Sequence, residues 1–369
     1  MSISGQGPGT EQMHRDIDMI TVLIVDDSLT TRKYLKHIID SDPDLQIAGE
    51  AKNGEEAVKK AGSTKPDVII MDIQMPGMNG YEATRAIMEK YPVPIIIHST
   101  LVAPEHTENI FKSMKAGAVA VSQKPPGPGH PESKQLVEKL LRTVKLMSEV
   151  KVVRLLKKRG KIPQTEPVHK NKILRPPPPS PGIIAIGAST GGPPELQNIL
   201  SNLNNNFTIP IVIVQHIANG FLEGMVDWLS KTTHLTLKTP KTGEPVKNGH
   251  VYFAPEDHHI AITPARVFQI YKIDAHENFK RPISHLFFSI AKIYKNNAIG
   301  ILLTGMGNDG AIGLKEMKKQ GATTLVQDKE SSAVFGMPGE AIKIHAPTYI
   351  LNPTGITSFL NKISREITV

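Results

Sequence analysis

A serine between glycines is the residue whose surroundings most directly predict chemistry in this chain. Ser189 stands in Gly187-x-Ser189-x-Gly191, which follows an apolar run starting at Ile183 and leads into Pro193 and a stretch of leucine and isoleucine at helical spacing. A serine at such a strand-to-helix corner keeps its hydroxyl open, and the helix N-terminus behind it favours developing negative charge, so Ser189 is a candidate nucleophile. The same residues also suit a tight turn capped by serine or a phosphate-binding loop.

Two other strand ends carry residues that could serve such a nucleophile. The apolar run 210–214 ends in Gln215-His216, and the run 299–303 leads through a glycine-rich turn to Asp309. Histidine is a suitable general base because its unperturbed pKa is near neutrality, and a carboxylate at a neighbouring strand end could orient it. The sequence therefore predicts a Ser-His-Asp set in the chain order Ser189, His216, Asp309, since such sets are defined by geometry and not by order.

The same glycine-rich turn allows a different function. Gly305-x-Gly307-x-x-Gly310 fits the dinucleotide-binding fingerprint, since it follows a strand and opens a helix, and Asp328 ends the next strand. Against this, Asp309 would place a carboxylate beside the pyrophosphate, and only 41 residues follow Asp328. A dinucleotide-binding enzyme stays an alternative to the hydrolase.

The N-terminal third of the chain has a second set of polar strand ends. Asp26 and Asp27 follow one apolar run, Asp72 follows another, and Ser99 and Lys124 follow two more. Like charges gathered at one edge of a sheet are unfavourable unless a cation neutralises them, and oxygen-only ligands point to Mg²⁺. Asp72 is then a candidate phosphoryl acceptor because carboxylates form aspartyl phosphates. Any one of these acids alone could instead be a turn residue or an N-cap.

The elements that would position these residues alternate regularly. In the N-terminal part, helical patterns separate five apolar runs, at 21–25, 45–48, 67–71, 95–97 and 118–121. Strands that alternate with helices predict a parallel sheet, here a doubly wound (βα)5 α/β domain, in which ligands bind at the carboxyl ends of the strands.

A second α/β domain follows a segment without apolar periodicity. Residues 154–181 include the polyproline stretch 175–181, typical of a semi-rigid spacer. Beyond it, strands are predicted at 183–187, 210–214, 299–303 and 323–327, and helices at 194–203, 219–230, 283–295, 311–319 and 355–365. The short strands between 235 and 272 predict a β-hairpin insertion in a mostly parallel sheet. His258 and His259 lie there; a metal site is possible, but neighbouring strand residues point opposite ways, so we expect surface residues.

Composition limits the classes of function. The chain has 369 residues, which predicts at least two domains, and no cysteine, which excludes disulfides and thiolate sites. No apolar run approaches the length of a membrane span, and the start is polar and glycine-rich, unlike a signal peptide, so we expect a cytoplasmic protein without membrane insertion. The net charge of +8 is concentrated partly in 151–161, where a nucleic-acid patch is possible; without an accompanying motif we expect a solvated helix end and no nucleic acid.

The expected organisation has four parts. We predict a disordered leader at 1–19, the first domain at 20–150, a basic and proline-rich linker at 151–181, and the second domain at 182–369.

The first domain resembles the receiver domain of two-component response regulators. The resemblance covers about 20–145 and rests on Val25-Asp26-Asp27-Ser28, on the stretch 71–80 (MDIQMPGMNG), and on Ser99 and Lys124-Pro125. It implies that a histidine kinase is the source of a phosphoryl group on Asp72.

The receiver resemblance also implies roles for the neighbouring residues. Asp26, Asp27 and Asp72, with the Gln74 carbonyl, match the Mg²⁺ ligands of that family. Ser99 and Lys124 match the residues that sense the phosphoryl group.

The second domain resembles chemotaxis protein-glutamate methylesterases. The resemblance runs from about 182 to 366 and rests on these segments: 186–192 (IGASTGG), 215–216 (QH), 254–255 (AP), 281–282 (RP), 303–310 (LTGMGNDG), 327–328 (QD) and 335–338 (FGMP). It implies that Ser189, His216 and Asp309 form the catalytic triad. It also implies that the Met306 N–H contributes to the oxyanion hole and that Thr190 lies beside the nucleophile.

Together the two resemblances imply one function. The chain is expected to be a phosphorylation-controlled protein-glutamate methylesterase that hydrolyses glutamate γ-methyl esters on the cytoplasmic helices of methyl-accepting chemoreceptors. Deamidation of glutamine by the same route is implied as well. We expect a monomer that needs Mg²⁺ in the receiver and no cofactor for the esterase. Departures at 217–221, His285 and Gly339 flank the presumed cleft and leave the receptor unidentified. A signalling or scaffold protein with a silent hydrolase site is the other alternative.

Overall fold

The computed structural model describes residues 19–100, 104–150, 152, 181–273 and 281–366. The predicted leader and the predicted linker lie almost entirely outside these residues, so the expected domain boundaries stay predictions. No helix in the described part of the chain has the length and apolar character needed to cross a membrane.

The N-terminal unit is a five-stranded parallel sheet with helices on both faces. Its strands are β1 (Ile20–Val25), β2 (Leu45–Ala51), β3 (Val68–Met71), β4 (Ile95–Ser99) and β5 (Ala120–Gln123), and they take the order β2-β1-β3-β4-β5 in the sheet. Its helices are α1 (Leu29–Asp40), α2 (Gly54–Thr64), α3 (Gly80–Lys90), α4 (Pro104–Lys115) and α5 (Ser133–Ser148). The predicted doubly wound (βα)5 fold is confirmed, and the strand order reverses beside β1, where such sheets bind ligands.

The C-terminal unit contains a larger parallel sheet of seven strands. The strands are β6 (Ile183–Ala188), β7 (Ile211–Gln215), β8 (Thr236–Lys238), β9 (His250–Phe253), β12 (Ala298–Leu302), β13 (Thr323–Gln327) and β14 (Tyr349–Leu351), and they take the order β14-β13-β12-β6-β7-β9-β8. An antiparallel hairpin is formed by β10 (His258–Ile262) and β11 (Phe268–Lys272). The helices are α6 (Gly192–Ser201), α7 (Leu222–Ser230), α8 (Pro282–Tyr294), α9 (Ala311–Lys319), α10 (Met337–Lys343) and α11 (Pro353–Glu366). The predicted mostly parallel sheet with a hairpin insertion is confirmed.

Some local predictions differ from the structure. Of the short strands expected between 235 and 272, β8 and β9 join the main sheet, and only β10 and β11 form the hairpin. The sequence pattern did not predict α10 and β14, whose 7 and 3 residues are too few to produce a periodic signal. His259 was expected at the surface but is 5% exposed, because its side of β10 faces α8 and its ring packs against His285.

The core lies in layers on the two faces of each sheet. In β6, Ile184 and Ile186 belong to the apolar cluster on one face, while Ile183 and Ala185 belong to the cluster on the other. Complete burial on both faces is typical of a central parallel strand, and each isoleucine buried in this way contributes about 1.5–3 kcal/mol. The strand ends that carry the candidate chemistry are therefore fixed by a rigid support.

The two units share apolar surface. Phe111 and Met114 of α4 belong to the same buried cluster as Trp228 of α7, and the rings of Phe111 and Trp228 stack with centroids 5.0 Å apart. Ala218 and Phe221 join a second apolar cluster, which the N-terminal sheet forms with α2, α3 and α4. Met306 and Val334 pack against a further apolar cluster of the N-terminal unit, which includes residues of β1, α1 and α5. The N-terminal unit thus contacts the segment that follows His216 and the glycine-rich turn that carries Asp309.

Candidate active site

Ser189 occupies the predicted strand-to-helix corner. The residue follows the last residue of β6, and its N–H donates to the Thr304 carbonyl at 3.1 Å. The Gly192 N–H donates back to the Ser189 carbonyl at 2.8 Å, which closes the turn, and α6 begins at Gly192 with Pro193 in its first turn. The side chain is therefore presented at the carboxyl edge of the sheet, in front of a helix N-terminus.

His216 lies beside this corner, at the end of the adjacent strand β7. Its N–H donates to the Ala188 carbonyl at 2.9 Å, which couples the ends of β6 and β7. Its Nε2 lies 3.0 Å from Oδ2 of Asp309. A carboxylate can only accept, so a neutral His216 that pairs with Asp309 through Nε2 has its lone pair on Nδ1. The described residues include no hydrogen bond between the Ser189 hydroxyl and this ring.

Asp309 is held by the first turn of α8 as well as by His216. Its Oδ2 accepts from the Ile283 N–H at 3.0 Å, and its Oδ1 accepts from the Ser284 N–H at 2.9 Å and the Ser284 hydroxyl at 2.8 Å. The Gly310 N–H donates to Oδ1 at 2.7 Å. Burial acts to raise the pKa of Asp309, but the bonds from His216 and Ser284 outweigh it and hold that pKa below its usual value. The carboxylate is thus ionised and fixed.

Two backbone N–H groups near the nucleophile have no acceptor among the described residues. Gly305 crosses so close to Ser189 that a Cβ on Gly305 would lie 2.6 Å from the Ser189 Cβ, which makes Met306 a near neighbour of the nucleophile. Neither the Met306 N–H nor the Thr190 N–H donates a hydrogen bond to any described residue. Unpaired N–H groups beside a nucleophile can stabilise an oxyanion.

The glycine-rich turn gives no support to dinucleotide binding. In that class of site, the N–H groups at a helix N-terminus face the pyrophosphate. Here the carboxylate of Asp309 lies in the turn itself and accepts from the N–H of Gly310, the residue that precedes α9. A phosphate placed there would meet an ionised carboxylate.

The acidic residues of the N-terminal unit converge as predicted. Asp26, Asp27 and Asp72 each offer a carboxylate oxygen, and these oxygens lie within 4.8 Å of one another. The Lys124 Nζ lies 2.7 Å from Oδ2 of Asp26 and 3.0 Å from Oδ2 of Asp72. Three carboxylates with one ammonium leave an excess of negative charge, which suits a divalent cation bound through oxygen. The residues therefore fit a hard cation.

Asp72 is one of the two buried acids in this cluster, with Asp26. It is 5% exposed, and burial, with the Asp26 charge added, raises its pKa although Lys124 opposes the shift. Ser99 is 4% exposed at the end of β4, and its carbonyl accepts from the Lys124 N–H at 3.0 Å. Gln74 is exposed in the loop that follows β3. The predicted phosphoryl-sensing and cation-binding residues thus lie along one edge of the sheet.

Ser284 is a site residue that the sequence did not reveal. It lies in the segment after Arg281-Pro282 that supported the methylesterase resemblance, but no role was expected for it. Besides its two bonds to Asp309, its hydroxyl accepts from the Gly310 N–H at 2.8 Å. A serine just inside a helix that begins with proline is a weak signal, since such serines are common.

Comparison with known proteins agrees with these features. The chain matches the family model "CheB methylesterase" over residues 184–360 and the model "Response regulator receiver domain" over residues 22–133. Two relatives are named protein-glutamate methylesterase/protein-glutamine glutaminase: one from Nitrosospira multiformis is 43% identical, with 94% of this chain and 98% of that protein covered. The other, from Syntrophus aciditrophicus, is 42% identical, with 95% and 99% covered.

A solved structure is also similar to part of the chain. The catalytic domain of the Thermotoga maritima CheB methylesterase is 40% identical, with 50% of this chain and 99% of that chain covered and a TM-score of 0.47. With relatives above 40% identity over nearly the whole length, this chain belongs to the family of receiver-linked CheB methylesterases, the protein-glutamate methylesterase/protein-glutamine glutaminases.

Proposed function

We propose that the protein is a phosphorylation-controlled serine hydrolase that removes γ-methyl esters from glutamates of methyl-accepting chemoreceptors and deamidates glutamines by the same route. The observation that carries the proposal is the arrangement of Ser189, His216 and Asp309. They follow β6, β7 and β12, which are neighbours in the sheet, and Asp309 contacts His216 at 3.0 Å. The catalytic roles follow from the chemistry of these groups.

The proposed reaction begins with proton transfer to His216. Because Nε2 is paired with Asp309, Nδ1 accepts the proton of Ser189 as its oxygen attacks the ester carbonyl. The N–H groups of Met306 and Thr190 stabilise the oxyanion. The imidazolium then gives its proton to the departing methoxide, which leaves as methanol, and an acyl-serine remains.

Hydrolysis of the acyl-serine uses the same groups. His216 accepts a proton from water, the hydroxide attacks the acyl carbonyl, and the proton returns to Ser189 as glutamate leaves. With a glutamine side chain the first leaving group is ammonia, which is a poorer one than methanol, so the deamidation is expected to be slower.

The receiver is proposed to control access to this site. In this proposal Asp72 is the phosphoryl acceptor and a histidine kinase is the donor. Asp26, Asp27, Asp72 and the Gln74 carbonyl would hold Mg²⁺, and the cation would neutralise charge on the incoming phosphoryl group. Ser99 and Lys124 would then pair with the phosphoryl oxygens. The shared apolar surface beside Met306, Ala218 and Phe221 supports a receiver that covers the cleft when it is not phosphorylated.

The remaining expectations concern context. The receptor's methyl-accepting segments lie on cytoplasmic helices, so a cytoplasmic site of action follows from the proposed substrate. A monomer, no nucleic-acid partner and no membrane insertion stay part of the proposal.

We expect Asp72→Asn to keep basal esterase activity and to lose its stimulation by a small phosphodonor such as acetyl phosphate with Mg²⁺. Esterase rates with and without the donor measure this. The variant should also be at least as stable as the wild type at neutral pH. Because the pKa of Asp72 is raised on folding, ionised Asp72 disfavours the folded state above that pKa, and the penalty disappears as pH falls. Asp67→Asn, at the other end of β3, is the matched control and should respond normally. Stimulation that survives in Asp72→Asn would contradict the assignment.

We expect Phe111→Ala to raise basal activity, because removal of the ring weakens the stack on Trp228 and with it the docking of the receiver. Each ~1.4 kcal/mol of docking free energy lost raises the ratio of open to closed protein about tenfold. Esterase rates without phosphodonor are the measurement, and residues 182–369 alone should show the same elevation. Tyr91→Ala, which removes a ring that packs on Gly62 within the receiver, is the control. Lower activity in both Phe111→Ala and the isolated domain would identify the receiver as an activator.

Methanol release is the direct test of the proposed function. Purified protein is incubated with methylated cytoplasmic fragments of chemoreceptors, and methanol is measured against the Ser189→Ala variant. Absence of turnover with every fragment, in protein stimulated by a phosphodonor, would favour a signalling protein with a silent site.

A further inference from the structure

Gln215, the last residue of β7, contacts the backbone of both the proposed nucleophile, Ser189, and the proposed base, His216. Its Nε2 donates to the Ser189 carbonyl at 2.8 Å and to the His216 carbonyl at 2.8 Å. One carboxamide therefore ties the turn that carries the nucleophile to the residue that carries the base. In the sequence, Gln215 stands out only as the neighbour of His216.

The orientation of this carboxamide is fixed. Two carbonyl oxygens can accept only from its NH₂ group, so Nε2 must face them. Its oxygen faces Gly192, where an added Cβ would lie 2.2 Å from Oε1, so a larger residue at 192 would displace the carboxamide. Gln215 is thus locked between β7 and the start of α6.

The bond to Ser189 also orients the next N–H group. The Ser189 carbonyl and the Thr190 N–H belong to the same planar trans peptide, in which the two point in opposite directions. Gln215 and the Gly192 N–H, at 2.8 Å each, both fix the carbonyl. The Thr304 hydroxyl fixes the following peptide through the Thr190 carbonyl at 3.0 Å. The Thr190 N–H is consequently held in one direction.

That N–H is free to bind an anion. It donates to no other described residue, and it belongs to the residue directly after the nucleophile, the position that supplies an oxyanion donor at strand-to-helix serines of other hydrolases. We infer that Gln215 is a positioning residue that aims the Thr190 N–H at the oxyanion of the ester carbonyl, beside the Met306 N–H. This inference rests on the proposed esterase chemistry.

Two variants of the full-length protein test the inference. Gln215→Met keeps length and volume but cannot donate, and Gln215→Glu keeps shape but places an acceptor against two carbonyls. Gln320→Met, at the exposed C-terminal end of α9, is the control. Hydrolysis of p-nitrophenyl acetate and inhibition by phenylboronic acid, which forms a tetrahedral serine adduct, report on the site without any receptor.

For Gln215→Met we expect kcat to fall about 10- to 100-fold, less than the roughly 10²–10³ seen when an oxyanion donor is removed outright. KM should change less than about twofold, and affinity for phenylboronic acid should fall in parallel with kcat, as expected for an interaction made mainly in the transition state. The melting temperature and the shape of the pH–rate profile should stay those of the wild type, because His216 and Asp309 keep their contact. Gln215→Glu should lose at least as much activity.

Three results would overturn the inference. The first is a wild-type kcat in both folded variants. The second is a shifted pH–rate profile with unchanged affinity for the boronate, which would assign the effect to His216. The third is failure of both variants to fold, which would assign Gln215 a role in stability only. A wild-type protein that neither hydrolyses the ester nor binds the boronate would instead contradict the proposed function itself.

Discussion

Ser189→Ala is expected to reduce turnover of a methylated receptor by about 10⁶-fold, the loss seen when the nucleophile of a comparable hydrolase is removed. The neighbouring Thr304 hydroxyl cannot take its place without rearrangement, because it is bonded to the Thr190 and Val334 carbonyls. Methanol release and trapping of an acyl-enzyme by mass spectrometry are the measurements, and the acyl adduct should be absent from the variant.

The Ser189→Ala variant should fold normally, so a loss of turnover would report on the chemistry. The backbone bonds of the turn, from Ser189 N–H to Thr304 and from Gly192 N–H to Ser189, do not involve the hydroxyl, so the melting temperature should be unchanged. Ser201→Ala, at the exposed C-terminal end of α6, is the control and should retain full activity. Near-normal turnover in Ser189→Ala would refute the nucleophile assignment and leave Ser189 as a residue of a structural turn.

Asp309→Asn is expected to reduce kcat by about 10⁴-fold, by analogy with other triads in which the carboxylate alone is replaced. The amide cannot accept at both ends. With its NH₂ toward His216, it forces the hydrogen from Nε2 to Nδ1, where it blocks acceptance of the Ser189 proton. With its NH₂ toward α8, it opposes the N–H of Ser284. The rate of the first turnover in a burst experiment separates this loss from effects on later steps.

Stability gives the second part of this prediction. Asp309 caps α8, not the helix after Gly310, so the variant should also lose roughly 1–3 kcal/mol at neutral pH. Because the folded pKa of Asp309 is lowered, its stabilisation is present above its unfolded pKa and is lost as pH falls through the folded value. The stability gap should therefore close in acid. Asp328→Asn is the control, because the Asp328 carboxylate binds only Ser331 among the described residues. It should leave kcat unchanged, and its stability relative to the wild type should not depend on pH in this way. A folded Asp309→Asn protein with normal kcat would contradict the orienting role.

The parts of the site that sequence could predict are those set by strand ends. Ser189, His216 and Asp309 each follow an apolar run, and parallel strands in neighbouring positions must bring their carboxyl ends to one edge. The acidic cluster was predictable for the same reason. The order of the strands could not be read from the apolar runs, yet the joint placement of the residues needed only that the strands share a sheet.

The supporting residues could not be predicted because their roles depend on orientation. Ser284 acts through the approach of α8 to a residue 25 positions later in the chain, and Gln215 acts through the direction of two carbonyls. A buried His259 was missed for a related reason, since its face of the hairpin is covered by a helix distant in sequence. Alternation within a strand predicts two faces but does not tell which of them a later element covers.

The stack between α4 and α7 has a spectroscopic consequence. Trp228 is the only tryptophan among the 369 residues, and it is 6% exposed where it lies against Phe111. All indole emission from the native chain therefore originates at the contact between the two units. Separation of the helices would transfer that single ring from an apolar setting into water and shift its emission to longer wavelength. The protein carries, without any label, an optical signal for the distance between its regulatory and its hydrolytic halves.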